Sequence, residues 1–404
     1  MATQTPTTLA SRLREQFNGE VSNLVPPSAL LTKLPFRSDI ELGKSAIFDV
    51  QLSDELGFSV GQGSVTLGGT ISQSTARATV DAYSLILQSQ VSYDLITRAS
   101  SDKKAFAKFT DSKFIPMAES FQRRQELLHM YGREGLGKVT GNSSGVLTIS
   151  ADTWCPTLWL SLKGAILGAY TAKTGGSQHN GDVTVSDIDV TNRTVTVTGT
   201  NAAIVANDHL FFKGSYDAGH IGLMSIARNT GSLFGISATT YALWSANFYD
   251  VGTSALTLGK ILAAAGLSAN KGCEETLLCP VPVRAFQSLV ADEAALRDYG
   301  ASYDKNNAQN GFRSLTFTGA SGDIKVVSYK YMKEGEFIMF PERWTYILGS
   351  SKMTEALAKD GDMIFDVEAT SDKQMRLFSD LQIFCERPGY ITYGYRSDSL
   401  ALHT

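Results

Sequence analysis

The stretch Ala46–Val80 reads AIFDVQLSDELGFSVGQGSVTLGGTISQSTARATV. Its two ends alternate apolar and polar residues as strands do. Past Gly57 it is dense in Gly, Ser, Thr and Gln and sparse in large apolar side chains. With its return it makes a ribbon from Ala46 to about Ser89. Two strands of this kind cannot bury enough apolar surface to be stable alone in water. The cover is either the chain's own body or a neighbouring copy. That choice separates a self-contained globule from one part of an assembly.

Residues 1–45 precede the ribbon as an arm with a Pro26-Pro27 break. On the other side, Val80 to Ile96 is a more apolar strand region, and Asp102 is placed to cap a helix through DKKAFAKFTDSKF. Pro116 is expected to kink that helix or to open a second segment. Met117, Phe121, Arg124 and Leu128 fall on one face of the continuation, and Gly132 is a natural stop. From Leu136 to Gly214 the pattern is β-rich, with GVLTIS as a strand and DVTVSDIDV-TNR-TVTVTG as a hairpin turning at Asn192. Trp154–Tyr170 is ambiguous between helix and strand.

Further on, Ser254 is placed to cap a helix from about Leu256, with Leu258, Ile261, Leu262 and Ala265 on one face and Gly272 past its end. Pro282 opens another helix, and Asp292 caps a short one ending at Tyr299-Gly300. A polar loop, Ala301–Gly311, leads into a hairpin expected to turn at Ser321-Gly322-Asp323. The C-terminal strands are GDMIFDVEAT, KQMRLFSDLQIFCERP and YITYGYRS. Helices set among antiparallel strands make the fold class α+β.

Composition narrows the function. A chain of 404 residues with 43% hydrophobic and 19% charged residues is ordered and long enough for more than one core. A formal charge of −4 lacks the basic excess of a dedicated nucleic-acid binder. No run of about 18 apolar residues is present, so no membrane span is expected. The opening residues have no apolar core of the kind a signal peptide needs. Four scattered cysteines without a Cys-x-x-Cys pair read as free thiols.

Catalytic motifs are formal matches without their context. Gly132-Arg-Glu-Gly-Leu-Gly137-Lys138 resembles a phosphate loop, but Val139 stands where Ser or Thr would hold magnesium. A helix ends there and a strand begins, the reverse of the order that aims a helix N-terminus at an anion. Ser59 and Ser143 each lie in Gly-x-Ser-x-Gly, yet neither sits between a strand and a helix as a nucleophile elbow does. His129, His179, His209, His220 and His403 show no metal-ligand spacing, and Asp360-Gly-Asp362 departs from a calcium loop and reads as a turn. The four tryptophans read as core or interface anchors. The chain is therefore read as no enzyme, with no cofactor and no metal.

The order of elements, together with QRRQELLHMYGREGLGKV, FFKGSYDAGHIGLMSIARNTGSLFGISATTYALWSAN, CPVPVRAFQSLVADEAALRDYGASYDKNNAQNG and RLFSDLQIFCERPG, resembles the major capsid proteins of tailed bacteriophages with the Hong Kong 97 fold. The likeness spans most of residues 46–395. It implies an N-terminal arm (1–45), an extended loop or E-loop (46–90), a spine helix in a peripheral domain (91–135, joined by the C-terminal strands 351–404), a β-rich insertion (136–220) and an axial domain (221–350). It implies self-assembly through pentamers and hexamers into an icosahedral shell around double-stranded DNA, built in the bacterial cytoplasm and residing in the virion. Partners would be copies of the chain, portal, scaffold or decoration proteins, and non-specifically contacted DNA, with no membrane. The short arm leads to the expectation that a scaffolding segment is absent from the chain. Phe58, Gln62, Leu67 and Arg77 of the ribbon, and Lys305, Asn306 and Asn307 of the polar loop, are the expected inter-subunit contacts. Two alternatives differ in cargo or class: a nanocompartment shell enclosing enzymes, and a serine hydrolase using Ser59 or Ser143.

Overall fold

The computed structural model describes residues 30–38, 45–92, 103–217, 219–291, 314–319, 322–350, 354–356, 364–366 and 372–404. Its longest element is a single helix, Lys103–Tyr131, of 29 residues, which spans about 43 Å at 1.5 Å per residue. It runs unbroken through Pro116, so no second segment opens there. Met117 and Phe121 pack with Leu377 and, beside them, Leu85 and Leu87. One turn on, Leu127, Met130 and Tyr131 enter the main core. Arg124 and Leu128, expected on that buried face, are only half-buried. Gly132 ends the helix with φ +49°, and a Cβ there would run into the backbone of Gly222.

The helix lies against a sheet organised by one strand, Asp372–Cys385. Along one edge this strand pairs antiparallel with Tyr83–Ser92, from Asp372↔Ser92 to Leu381↔Tyr83. Along the other it pairs in turn with Ile364–Asp366, Glu355–Ala356 and Thr345–Gly349. Phe36–Arg37 adds parallel to Ile347–Leu348 and closes that side.

A second, mixed sheet runs Asn247–Asp250, Thr392–Tyr395, Glu336–Pro341, Leu277–Val281, Gly322–Ser328, Ser314–Gly319. Helices Leu258–Asn270 and Val283–Ala291 share its core. Two sequence expectations are corrected here. The first helix starts at Leu258 with Thr257, not Ser254, at its N-cap. The Leu256 amide bonds to the Leu402 carbonyl at 2.8 Å, a tertiary bond that holds residue 256 outside the helix. Its inner face carries Ala264 as well as Leu258, Ile261 and Ala265, while Leu262 is 37% exposed. The hairpin register pairs Gly319 with Gly322, so Gly322 already belongs to the returning strand.

Between helix and mixed sheet, residues 137–212 close into a six-stranded antiparallel barrel. The expected hairpin is present, its strands Gln178–Asp189 and Thr194–Gly199 with Asn192 in the turn. The ambiguous Trp154–Tyr170 divides into a short helix, Pro156–Leu160, and a strand, Ile166–Tyr170. Val139, Leu147, Ile149, Leu167, Val183, Val195 and Leu210 are at most 1% exposed. The barrel is a packed core, as a small barrel filled by side chains must be.

Asp102, the Asp292 helix, the loop with Lys305, Asn306 and Asn307, and Asp360-Gly-Asp362 lie outside the described residues.

Candidate assembly surface

The base of the ribbon is covered by the chain's own body. Ala46–Gln51 pairs antiparallel with Thr75–Val80, from Ala46↔Val80 to Gln51↔Thr75. With period two, one face turns inward, and Ala46, Ala78 and Val80 on it are at most 5% exposed. Phe48 stacks on Phe384 with ring centroids 4.7 Å apart, and the Thr79 amide donates to the Phe234 carbonyl at 2.9 Å. Arg77 pairs with Asp49 at 3.1 Å across the outer face, both about three-quarters exposed.

Beyond this base the ribbon loses its cover. Leu52 still bonds to Ser74 at 2.8 Å and Leu56 to Ile71 at 3.1 Å, but residues 52–74 form no regular strand. The tip holds Phe58 at 82%, Val60 at 97% and Leu67 at 86% exposure, with Gln62 also exposed. From Leu56 to Ala76 there is no charged residue. Burying one side chain of this size is worth about 1.5–3 kcal/mol, so the tip keeps several kcal/mol of contact energy unused within the subunit. Phe58, Gln62 and Leu67 thus share one bare segment, while Arg77 sits apart on the packed base.

Catalytic readings find no support in the geometry of the described residues. The Ser59 hydroxyl accepts a hydrogen bond from the Gly68 amide at 2.8 Å, inside the tip. Ser143 pairs with Val146 across a two-residue turn at Ser144 and Gly145, with φ of +52° and +89°. Both signs are what a type I′ hairpin turn requires. No group of three or more His, Cys, Asp or Glu among the described residues could hold a metal ion. All four cysteines are free and buried, and burial pushes Cys155 up to about 12 and Cys385 up to about 11.

Buried charges hold together the body that carries the ribbon. Glu126, on the long helix and 0% exposed, accepts from the amides of Leu30, Leu31 and Thr32 at 2.8–2.9 Å and from the Tyr329 hydroxyl at 2.9 Å. It thereby clamps residues 30–33 to the helix. Arg228 pairs with Glu134 at 2.8 Å and with Glu336, and bonds to Tyr393. Burial opposes charging Glu134, but Arg228 and Lys173 outweigh it and hold the carboxyl at about 2. Burial lowers the nearby Lys333 to about 8, and its ammonium donates to the Gly135 carbonyl at 2.9 Å. This hub ties the helix end and the barrel to the mixed sheet. The pattern missed Glu126, although its i, i+4 spacing from the buried Met130 places it on an inner face.

No family model and no curated protein matches the chain. Solved structures do match. The capsid asymmetric unit of cyanophage A-1(L) aligns with TM-score 0.53 and 11% identity over 97% of this chain and 98% of that one. The capsid of cyanophage P-SCSP1u aligns at 0.47 and 10% identity over 98% and 97%. Mycobacterium phage Ogopogo aligns at 0.45 and 12% identity over 96% and 99%. The first, with the highest agreement of the three, defines the class: a mixed helix-and-sheet chain with the fold of a phage capsid protein. At 11% identity this likeness is one of fold alone. No described helix is long and apolar enough to cross a membrane.

Proposed function

We propose that the chain is a major capsid protein that assembles with copies of itself, through hexamers and pentamers, into an icosahedral shell enclosing double-stranded DNA. The observation that carries this reading is the bare ribbon tip: an uncharged segment with Phe58, Val60 and Leu67 more than four-fifths exposed. A head-to-tail contact, in which each tip covers the next subunit, closes into rings. It adds interface of the size permanent assemblies need without enlarging the subunit's own core. Residues 46–90 would be the extended loop. Residues 91–135 with 351–404 would form the peripheral domain, 136–220 the inserted barrel and 221–350 the axial domain. The packing of Met117 and Phe121 against Leu377 supports joining 91–135 and 351–404 in one domain. Phe58, Gln62 and Leu67 are assigned to the inter-subunit contact, and Arg77 to its edge; Lys305, Asn306 and Asn307 are assigned to the capsomer axis. The net charge of −4 suits a container that holds DNA without binding it tightly. Assembly would take place in the host cytoplasm, with portal, scaffold or decoration proteins as further partners.

Electron microscopy of the purified chain, with nuclease-protected nucleic acid measured in the same particles, tests this. Closed shells with protected DNA are the expected result. Closed shells filled with protein would favour the nanocompartment, and a chain that stays monomeric at high concentration would refute both.

A further inference from the structure

His129, near the end of the long helix, and His220 lie with ring centroids 5.5 Å apart and are 1% and 9% exposed. Both nitrogens of His129 and Nε2 of His220 are buried without a partner. Such a pair is stable while both rings are neutral, since a buried charge is costly unless it is paired. The groups around the rings supply no anion. On the helix, Arg124 opposes charging His220, and Glu126 is turned to the amides of Leu30, Leu31 and Thr32. On the strand Asp372–Cys385, the Leu381 backbone bonds to His220, while Asp380 bonds to Ser84 at the surface. On the strand Tyr83–Ser92, the Tyr83 ring meets His220 edge-on, with centroids 6.4 Å apart.

The two histidines occupy a narrow joint. Residues 219–222 cross the helix end by backbone contact: a Cβ on Gly132 would strike the Gly222 nitrogen and the His220 carbonyl oxygen. A Cβ on Gly219 would strike the Tyr83 ring, so that ring lies directly on the segment. Ile221 is gripped at its amide and at its carbonyl by the Gln382 side chain, at 3.2 and 2.7 Å. The segment thereby touches the long helix, the strand Asp372–Cys385 and the first residue of the strand that returns from the ribbon.

We propose that the His129–His220 pair is an acid-released latch, which holds residues 219–222 and Tyr83 against the end of the long helix while both rings are neutral and lets them part when protons enter. Separation admits water to the rings, and an exposed imidazole takes up a proton at about pH 6.5. Closure opposes this, because burial holds His220 at about 4 and His129 well below its ordinary value. The closed joint is therefore fully favoured above about pH 6.5 and loses ground as pH falls toward about 4. At about pH 5 the open fraction rises about thirtyfold through His220 alone. Tyr83 begins the strand Tyr83–Ser92, so the release acts where the ribbon is rooted. The inference is independent of whether the chain builds a shell.

Hydrogen exchange of the full chain, read by mass spectrometry at neutral pH and at about pH 5 and corrected for the intrinsic effect of pH on exchange, tests this. Peptides covering 219–224 should open about thirtyfold more often in acid and exchange faster than the barrel strand Thr194–Gly199, while circular dichroism reports a folded chain. The double variant His129→Leu with His220→Gln removes both titrating rings and should flatten the response. No rise at 219–224 in the unmodified chain would overturn the proposal. So would a rise that the barrel strand matches in rate, which marks global unfolding rather than release of a joint. An unchanged rise in the folded double variant would do the same; should that variant fail to fold, the two results on the unmodified chain still decide.

Discussion

Two β-rich excursions leave the body of this protein, and they meet the problem of covering themselves in opposite ways. The barrel at 137–212 bends back so that His209–Leu210 pairs with Gly137–Lys138, and its valines and leucines face one another. The ribbon at 46–80 is too narrow to close. Its base borrows cover from Phe234 and Phe384, and its tip has none within the subunit. Closure makes a region independent of neighbours. An open ribbon leaves apolar surface that the subunit itself does not bury.

The comparison breaks most plainly if the tip proves dispensable. Removal of Gly57–Gly69 should leave a folded subunit, because Gly57 already lies against the backbone of Thr70 and Ile71. Particles of normal size from this deletion, seen by negative-stain microscopy, would remove the tip from assembly; their loss is the expected outcome. Phe58→Asp should act in the same direction. In the barrel the cost should fall on the subunit itself. Leu147→Ala empties part of a fully buried core and should cost about 2–5 kcal/mol in urea unfolding, whereas Leu67→Ala on the tip should leave the unfolding midpoint unchanged.

Acid sharpens the contrast by acting on the body alone. Burial holds His220 at about 4 and His129 well below its ordinary value, so the folded state refuses protons that the unfolded chain accepts below about pH 6.5. Their neighbours are Arg124, which further opposes protonation of His220, the Leu381 backbone, which favours it, and the Tyr83 ring. Subunit stability should therefore fall as pH drops from about 6.5 toward 4, by about 3 kcal/mol for His220 alone. Glu134, held at about 2, adds a separate loss below about 4.5. Thermal unfolding of His129→Leu should show a shallower decline between pH 7 and 5; an unchanged slope would mean that His129 is not part of the acid response. The smallest effect is expected from Arg77→Ala. Its partner Asp49 is as exposed as it is, and such surface pairs contribute little, so the unfolding midpoint should not move measurably.

What could be read beforehand was local. The ribbon, the helix through Phe121 and Leu127, the hairpin at Asn192 and the stop at Gly132 all follow from period and turn chemistry within a few residues. What could not be read was long-range. Barrel closure joins residue 138 to 209, the clamp joins Glu126 to Leu31, and the Leu402 carbonyl decides where a helix at 258 begins. A glutamate on an amphipathic helix reads as a solvent residue until the amides that it binds are placed beside it. The exposure of Phe58 and Leu67 was legible for a simple reason: they stand out as large apolar residues in a stretch too poor in them to form a core.

The four buried thiols have a practical corollary. Each of the protein's cysteines is buried without a disulfide, and burial disfavours its thiolate. The native surface therefore offers no competing site for maleimide chemistry. A cysteine introduced by Val60→Cys would be the sole reactive handle on each copy, so the same tip could carry a dye or a cross-linker that reports its surroundings.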